Sequence, residues 1–333
     1  MGDDSREIDR RRFLQGTGVA VAGTALGAGP AAAGDGDAAE AEMKGRRPDG
    51  DEPAVIAHRG FAGVYPENTV GAVRASARGG RSNDARVRGA DMIEIDIVPT
   101  GDGDIVVFHD DGLAERDGGE RGLTDKEGIV WETPTEEVLS AEVLESGETV
   151  PLLTEVMDAI PPSVGVNLEF KNPGSKDVRF AENLEGDALE AQKDLWRPFT
   201  EKALEIAAEY ENEILVSSFY EAAIATVRET DPSVPVAFLF WDSIEDGLDI
   251  TREYDCEALH PPLYLIKGTP FFGDAWAGGV EDVDLISVAH EEDRTVNVWT
   301  TRSWYEAERL RAVGVDGVIS DFPGLLRFGS RNR

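Results

Sequence analysis

The chain has 333 residues, 41% of them hydrophobic, enough for one large α/β domain or two small ones with a real core. A formal net charge of −34 and an isoelectric point near 4.3 argue against nucleic acid as a partner, because a phosphate backbone would be repelled. Seven lysines stand against twenty-five arginines, and such a lysine-poor acidic surface suits a high-salt medium that screens self-repulsion, so a halophilic source is expected.

In chain order, DRRRFLQGTG leads into a short apolar run, Val19 to Ala28, and then into Pro30-Ala31-Ala32-Ala33. A charged region, an apolar centre and a small-residue cleavage pattern describe a signal peptide over residues 1–33. Arg10-Arg11 ahead of Phe13-Leu14 resembles a twin-arginine signal, which exports folded protein to the cell surface or beyond. An uncleaved anchor is the competing reading. The run is shorter than the ~20 residues a bilayer span needs, so no stable membrane anchor is expected in the mature form. Residues 34–52 lack any apolar period and read as a disordered linker, leaving 53–333 as one domain. The single cysteine, Cys256, excludes an intramolecular disulfide and reads as a small buried hydrophobe.

From residue 53, β-branched runs alternate with helical stretches. Strands are predicted at Pro53–His58, Asp91–Val98, Val164–Lys171, Glu213–Phe219, Val234–Phe240, Glu257–His260, Thr295–Thr300 and Asp316–Asp321. Helices are predicted among them at Asn68–Arg78, Thr154–Ala159, Arg197–Tyr210, Glu221–Thr230 and Trp304–Ala312. Strands alternating with helices imply a parallel sheet, and eight of them imply a closed (β/α)8 TIM barrel of the usual ~250 residues. Ile105–His109 is a further strand, but only PTGDGD separates it from the one before. A parallel crossover needs about a dozen residues, so this segment returns antiparallel, as a hairpin arm at the barrel mouth.

The stretch EIDIVPTGDGDIVVFHDD, residues 94–111, puts Glu94 and Asp96 on one face of a strand and folds His109 back beside them. Strand one ends in His58-Arg59-Gly60, and VGVNLEFK places Asn167, Glu169 and Lys171 on one face. Carboxyl ends of barrel strands are where barrel enzymes keep their active sites. Three carboxylates facing one another repel unless a cation sits among them, and an all-oxygen set favours one divalent ion, Ca²⁺ or Mg²⁺. Ordinary salt bridges to Arg59 and Lys171 are the alternative. Arg59 offers a fork suited to phosphate and Lys171 a point charge. Two histidines flanking such a site suit acid/base work at phosphorus. His260 and His290 have no such company and read as structural or surface residues.

Together, AHRGFAGVYPENT, EIDIVPTGDGDIVVFHDD and LEFK resemble the signatures of glycerophosphodiester phosphodiesterases, in the same order. VPLLTEVMDAIP, VSSF, VNVWT and GVDGVISDFP resemble that family's remaining blocks, so the likeness runs from Val55 to Pro323. The resemblance implies a metal on Glu94, Asp96 and Glu169, with His58 and His109 as acid and base. It also implies phosphate contacts from Arg59 and Lys171, a supporting role for Glu67, and Trp299 lining a glycerol pocket; core packing is the other reading of Trp299. The sequence departs from the family in three places. Arg302 stands where the family usually has Asn, residues 79–89 form a longer basic loop, and residues 174–196 form an acidic insertion near the mouth. The expected activity is metal-dependent hydrolysis of a small glycerophosphodiester to glycerol phosphate and an alcohol. A lyso-phospholipid-cyclising enzyme on the same barrel and a non-catalytic glycerol-phosphate-binding protein are the competing readings.

Overall fold

A computed structural model describes residues 52–327 apart from 83–84, 117–121, 181–182 and 274–280. The predicted signal and all but the last residue of the predicted linker lie outside the described residues. Eight parallel strands close on themselves: β1 (Ala54–Ala57), β4 (Met92–Pro99), β6 (Gly165–Phe170), β7 (Ile214–Ser218), β8 (Val236–Leu239), β9 (Ala258–His260), β10 (Thr295–Thr301) and β11 (Gly317–Ser320). Closure comes from β1, which pairs with β11 on one side and β4 on the other. This is a (β/α)8 TIM barrel.

The strands are short, β-branched and buried, and the larger core is made of their side chains and the helices around them. Helix boundaries follow local chemistry. Thr69 caps Val70–Arg78 by accepting from the Ala72 N–H at 3.2 Å, and Ser303 and Glu306 form a capping box on Trp304–Val313. That last helix ends on Gly314 at φ 89°, a conformation glycine adopts without a Cβ clash.

The hairpin arm is β5 (Ile105–Val107), antiparallel to β4 with Ile97 opposite Val107 and Pro99 opposite Ile105. A difference in strand length makes room for it. β4 has eight residues, whereas β1 has four and pairs only with Met92 and Ile93, so the upper edge of β4 is left for β5. A second apolar cluster, including Val98, Val106, Phe108, Leu113 and Val130, packs around this arm.

Three sequence expectations change in detail. The helix predicted to begin at Arg197 runs Gly186–Ala207, through Pro198. Trp196 and Phe199 carry it onto the core, Trp196 stacking at 6.4 Å on Phe170, and this packing outweighs the local breaker. Half of the supposed acidic insertion is therefore an ordinary barrel helix. Helices Ile244–Glu253 and Leu285–Glu291 complete the expected alternation. The supposed loop 79–89 contains an antiparallel ribbon, β2 (Gly80–Ser82) against β3 (Ala85–Val87). Among the described residues no helix is long and apolar enough to cross a membrane.

Candidate active site

Register builds the centre. β4 and β6 run side by side with Glu94 opposite Asn167 and Asp96 opposite Glu169. Alternation turns all four side chains to one face. Glu94, Asp96 and Glu169 are buried, and ligand-capable oxygens from the three lie within 4.8 Å of one another. Each also keeps one buried oxygen without a hydrogen-bond partner: Oε1 of Glu94, Oδ1 of Asp96 and Oε2 of Glu169.

The turn after β1 supplies the next shell. His58–Gly60 form a short 3₁₀ turn, and Arg59, Gly60 and the Phe61 that follows all take positive φ. A Cβ on Gly60 would lie 2.9 Å from that of Ala72, so only glycine fits there. The bend aims the Arg59 N–H at Glu94 Oε2, 2.7 Å away. The Arg59 guanidinium is buried, with Nη1 2.6 Å from Glu67 Oε1 and Nε 3.3 Å from Asp96 Oδ2. Lys171 reaches in from the end of β6, 2.5 Å from Glu169 and 3.6 Å from Asp96.

These charges set the protonation of the trio. Burial, then repulsion from Asp96 and Glu169, lifts Glu94 well above the usual carboxylate range. Burial pushes Glu169 up to about 7, opposed by Lys171. Burial also disfavours the Asp96 anion, but the positive charges of Lys171 and Arg59, with the Asn68 hydrogen bond, hold its pKa below the ordinary value. Lys171 is held above the ordinary lysine value because Glu169 and Asp96 outweigh its desolvation. Two buried carboxyls raised above their ordinary range beside Asp96 are a set that could hold a cation in place of protons.

Both predicted catalytic histidines converge here. The Phe108 N–H donates to the Asp96 carbonyl at 2.9 Å, which brings His109 beside the acids. His109 is buried, and neither ring nitrogen makes a hydrogen bond; Nδ1 lies 3.3 Å from Asp110 Oδ1. Burial and the positive charges of Arg59 and Lys171 hold it neutral, well below the ordinary histidine pKa. His58 pairs through Nδ1 with Asp321, while its Nε2 has no hydrogen-bond partner. A cavity of about 200 Å³ opens at this point, lined by His109, Glu169, Lys171, Asn172, Phe219 and Tyr220 among others. Val178 and Ser175, at the start of the supposed insertion, also line it.

The chain matches the model of the glycerophosphoryl diester phosphodiesterase family over residues 58–325. The chain belongs to that family. It is an enzyme of the phosphodiesterase class. A glycerophosphodiester phosphodiesterase of Bacillus altitudinis is 27% identical over 282 residues, covering 81% of this chain and 94% of that protein. One from Caldanaerobacter subterraneus subsp. tengcongensis is 26% identical over 280 residues, covering 82% and 95%. In fold, the chain is similar to an Oleispira antarctica phosphodiesterase solved with its product sn-glycerol-3-phosphate. The TM-score is 0.62 at 24% identity, covering 82% of this chain and 94% of that one.

The remaining sequence-predicted residues of this phosphodiesterase are placed as follows. Glu67 is buried and holds Arg59, with Arg116 Nη2 at 3.4 Å from its other oxygen. Trp299 is buried in the barrel wall, donating Nε1–H to the His260 carbonyl at 2.6 Å. It packs edge-on against Phe219, which lines the cavity. His260 and His290 are structural: the first meets Asn297 at 3.2 Å, the second Asp316 at 2.8 Å. Cys256 is buried, its thiol pushed up to about 12 chiefly by desolvation.

Sequence reasoning missed two residues. Asn68, at φ 59°, donates Nδ2–H to Asp96 Oδ2 at 2.8 Å and accepts the Asp96 N–H at 3.3 Å. Asp321 holds His58. It stands directly after β11, so its place at a strand's carboxyl end was the available signal.

Proposed function

We propose that the chain hydrolyses glycerophosphodiesters to glycerol phosphate and an alcohol, using one Ca²⁺ or Mg²⁺ held by Glu94, Asp96 and Glu169. The observation that carries this reading is the trio of buried carboxylates, each with an oxygen that has no hydrogen-bond partner, set beside two histidines with open ring nitrogens. Held by Glu94, Asp96 and Glu169, a hard cation would supply charge stabilisation at the phosphate. Lys171, at the cavity wall, and Arg59, held by Glu67 and Asp96, add positive charge for the phosphate oxygens. His109, neutral, takes the proton of the attacking hydroxyl. His58, doubly protonated, keeps Nδ1–H on Asp321 and donates its Nε2 proton to the departing alkoxide, which leaves the neutral Nδ1–H imidazole.

The attacking hydroxyl is assigned to the substrate's own glycerol. It bonds to phosphorus as the alcohol leaves, giving a cyclic phosphate, and water then reopens the ring with the histidine roles reversed. The route is intramolecular and needs only two proton-transfer groups, which is the number of histidines beside the acids. Purified protein assayed on glycerophosphodiesters in high salt, with and without chelator, tests the reading. Activity should vanish in chelator and return with Mg²⁺ or Ca²⁺, and a substrate lacking the adjacent hydroxyl should bind without reacting. Equal kcat on that deoxy substrate would overturn the cyclic route; full activity in chelator would overturn the cation. We also propose that residues 1–33 export the protein, a reading supported by the Arg10-Arg11 pair and the small-residue stretch that follows.

A further inference from the structure

Arg302 stands directly after β10, and its geometry gives it a task. Thr301 of β10 is in register with Ser320 of β11, so Arg302 emerges opposite Asp321. Its backbone N–H donates to Glu306 Oε2 at 2.6 Å, as part of the capped start of the next helix, which fixes where the side chain begins. The side chain reaches back so that Nε–H donates to Asp321 Oδ2 at 2.7 Å. The other oxygen, Oδ1, is the partner of His58 Nδ1. Asp321 is 12% exposed and Arg302 52%, so an outer cation grips an almost buried carboxylate that grips a buried imidazole.

A carboxylate held on one oxygen can turn about its Cβ–Cγ bond; held on both, it presents one oxygen in one direction. We propose that Arg302 is a positioning residue for the reaction. It clamps Asp321 so that His58 keeps one proton on Nδ1 and carries the second, transferable proton on Nε2 facing the substrate. The same logic holds an imidazole in one tautomer wherever a fixed acceptor faces its other nitrogen. The inference rests on the assignment of His58 as a proton-transfer group. It gives Arg302 a role through Asp321, where the sequence suggested a substrate contact.

The test uses the whole protein and three variants, Arg302→Ala, Arg302→Lys and Arg302→Asn. The capping contacts come from the backbone of residue 302, so each variant should keep the helix. Loss of one exposed charge-assisted hydrogen bond should lower kcat about five- to tenfold in Arg302→Ala with KM nearly unchanged. Arg302→Lys should recover part of it, and Arg302→Asn should fall between. Independently of turnover, ¹⁵N spectra of the four imidazoles, taken at a pH where His58 is neutral, should show that ring as the Nδ1–H tautomer in the parent and a mixture in Arg302→Ala. The other three should be unmoved. An unchanged His58 spectrum with unchanged kcat would overturn the inference, and so would a raised KM at full kcat, which would make Arg302 a substrate contact. If the parent protein cleaves no glycerophosphodiester at all, the proposed function fails, and the ¹⁵N spectra alone decide for or against Arg302.

Discussion

Replacing Asn68 with alanine should show how strongly the acidic centre depends on a residue that is neither a ligand nor a base. The Asn68 amide donates to the buried Asp96 carboxylate at 2.8 Å and accepts the Asp96 N–H at 3.3 Å, so one side chain fixes both ends of that residue. A hydrogen bond to a charged buried group is worth about 1.5–3 kcal/mol. Asn68 also sits at φ 59°, where alanine costs roughly 1–2 kcal/mol more than a residue suited to that conformation. Asn68→Ala should therefore lose about 2.5–5 kcal/mol of unfolding free energy on these two counts. Glycine tolerates the backbone but supplies no amide, so Asn68→Gly should lose about 2 kcal/mol. Freed of its clamp, Asp96 should hold a divalent cation about 10- to 100-fold more weakly in both variants, the usual effect of removing an outer partner of a ligand. Urea unfolding in chelator gives the first quantity, and titration calorimetry with Mg²⁺ or Ca²⁺ gives the second. An Asn68→Gly protein as unstable as Asn68→Ala would refute the backbone half of the reasoning. Unchanged cation affinity in both would refute the claim that Asn68 orients Asp96.

The pH dependence of stability should itself report the cation. Glu169 rises from an ordinary value of 4.5 to about 7, so its folded state retains a proton that the unfolded chain gives up. That contribution is fully present below 4.5 and is lost as pH rises through 7, so melting temperature in chelator should fall across this window. Saturating cation, or Glu169→Gln, should flatten the slope, and identical slopes in all three conditions would count against a cation at this place. Replacing His58 or His109 with alanine should lower kcat by about 10² to 10⁴, while His260→Ala and His290→Ala should leave kcat nearly unchanged. Near wild-type kcat in His109→Ala would remove the base assigned here. With a net charge of −34, the protein should melt at lower temperature as salt is diluted from molar to ~0.1 M; an unchanged transition would argue against a halophilic surface.

Much of the site could be read from the chain because strands alternate. EIDI and LEFK declare their inward faces by period two, and the acids they carry fall into register once the two strands lie side by side. The antiparallel arm was legible too, since six residues between strands cannot make a parallel crossover. The helix Gly186–Ala207 was not, because Pro198 and an acidic first half mask a face that only Phe170 and the neighbouring core explain. The partners of the site's buried groups were not legible either. His58 meets Asp321 across 263 residues of sequence, and Asn68 meets Asp96 across 28. Sequence by itself determined which residue types stand at the ends of which strands. Only closure of the barrel, with β1 laid between β11 and β4, decided which of them touch. A contact between distant segments depends on the path of the whole chain, and no local pattern encodes that path.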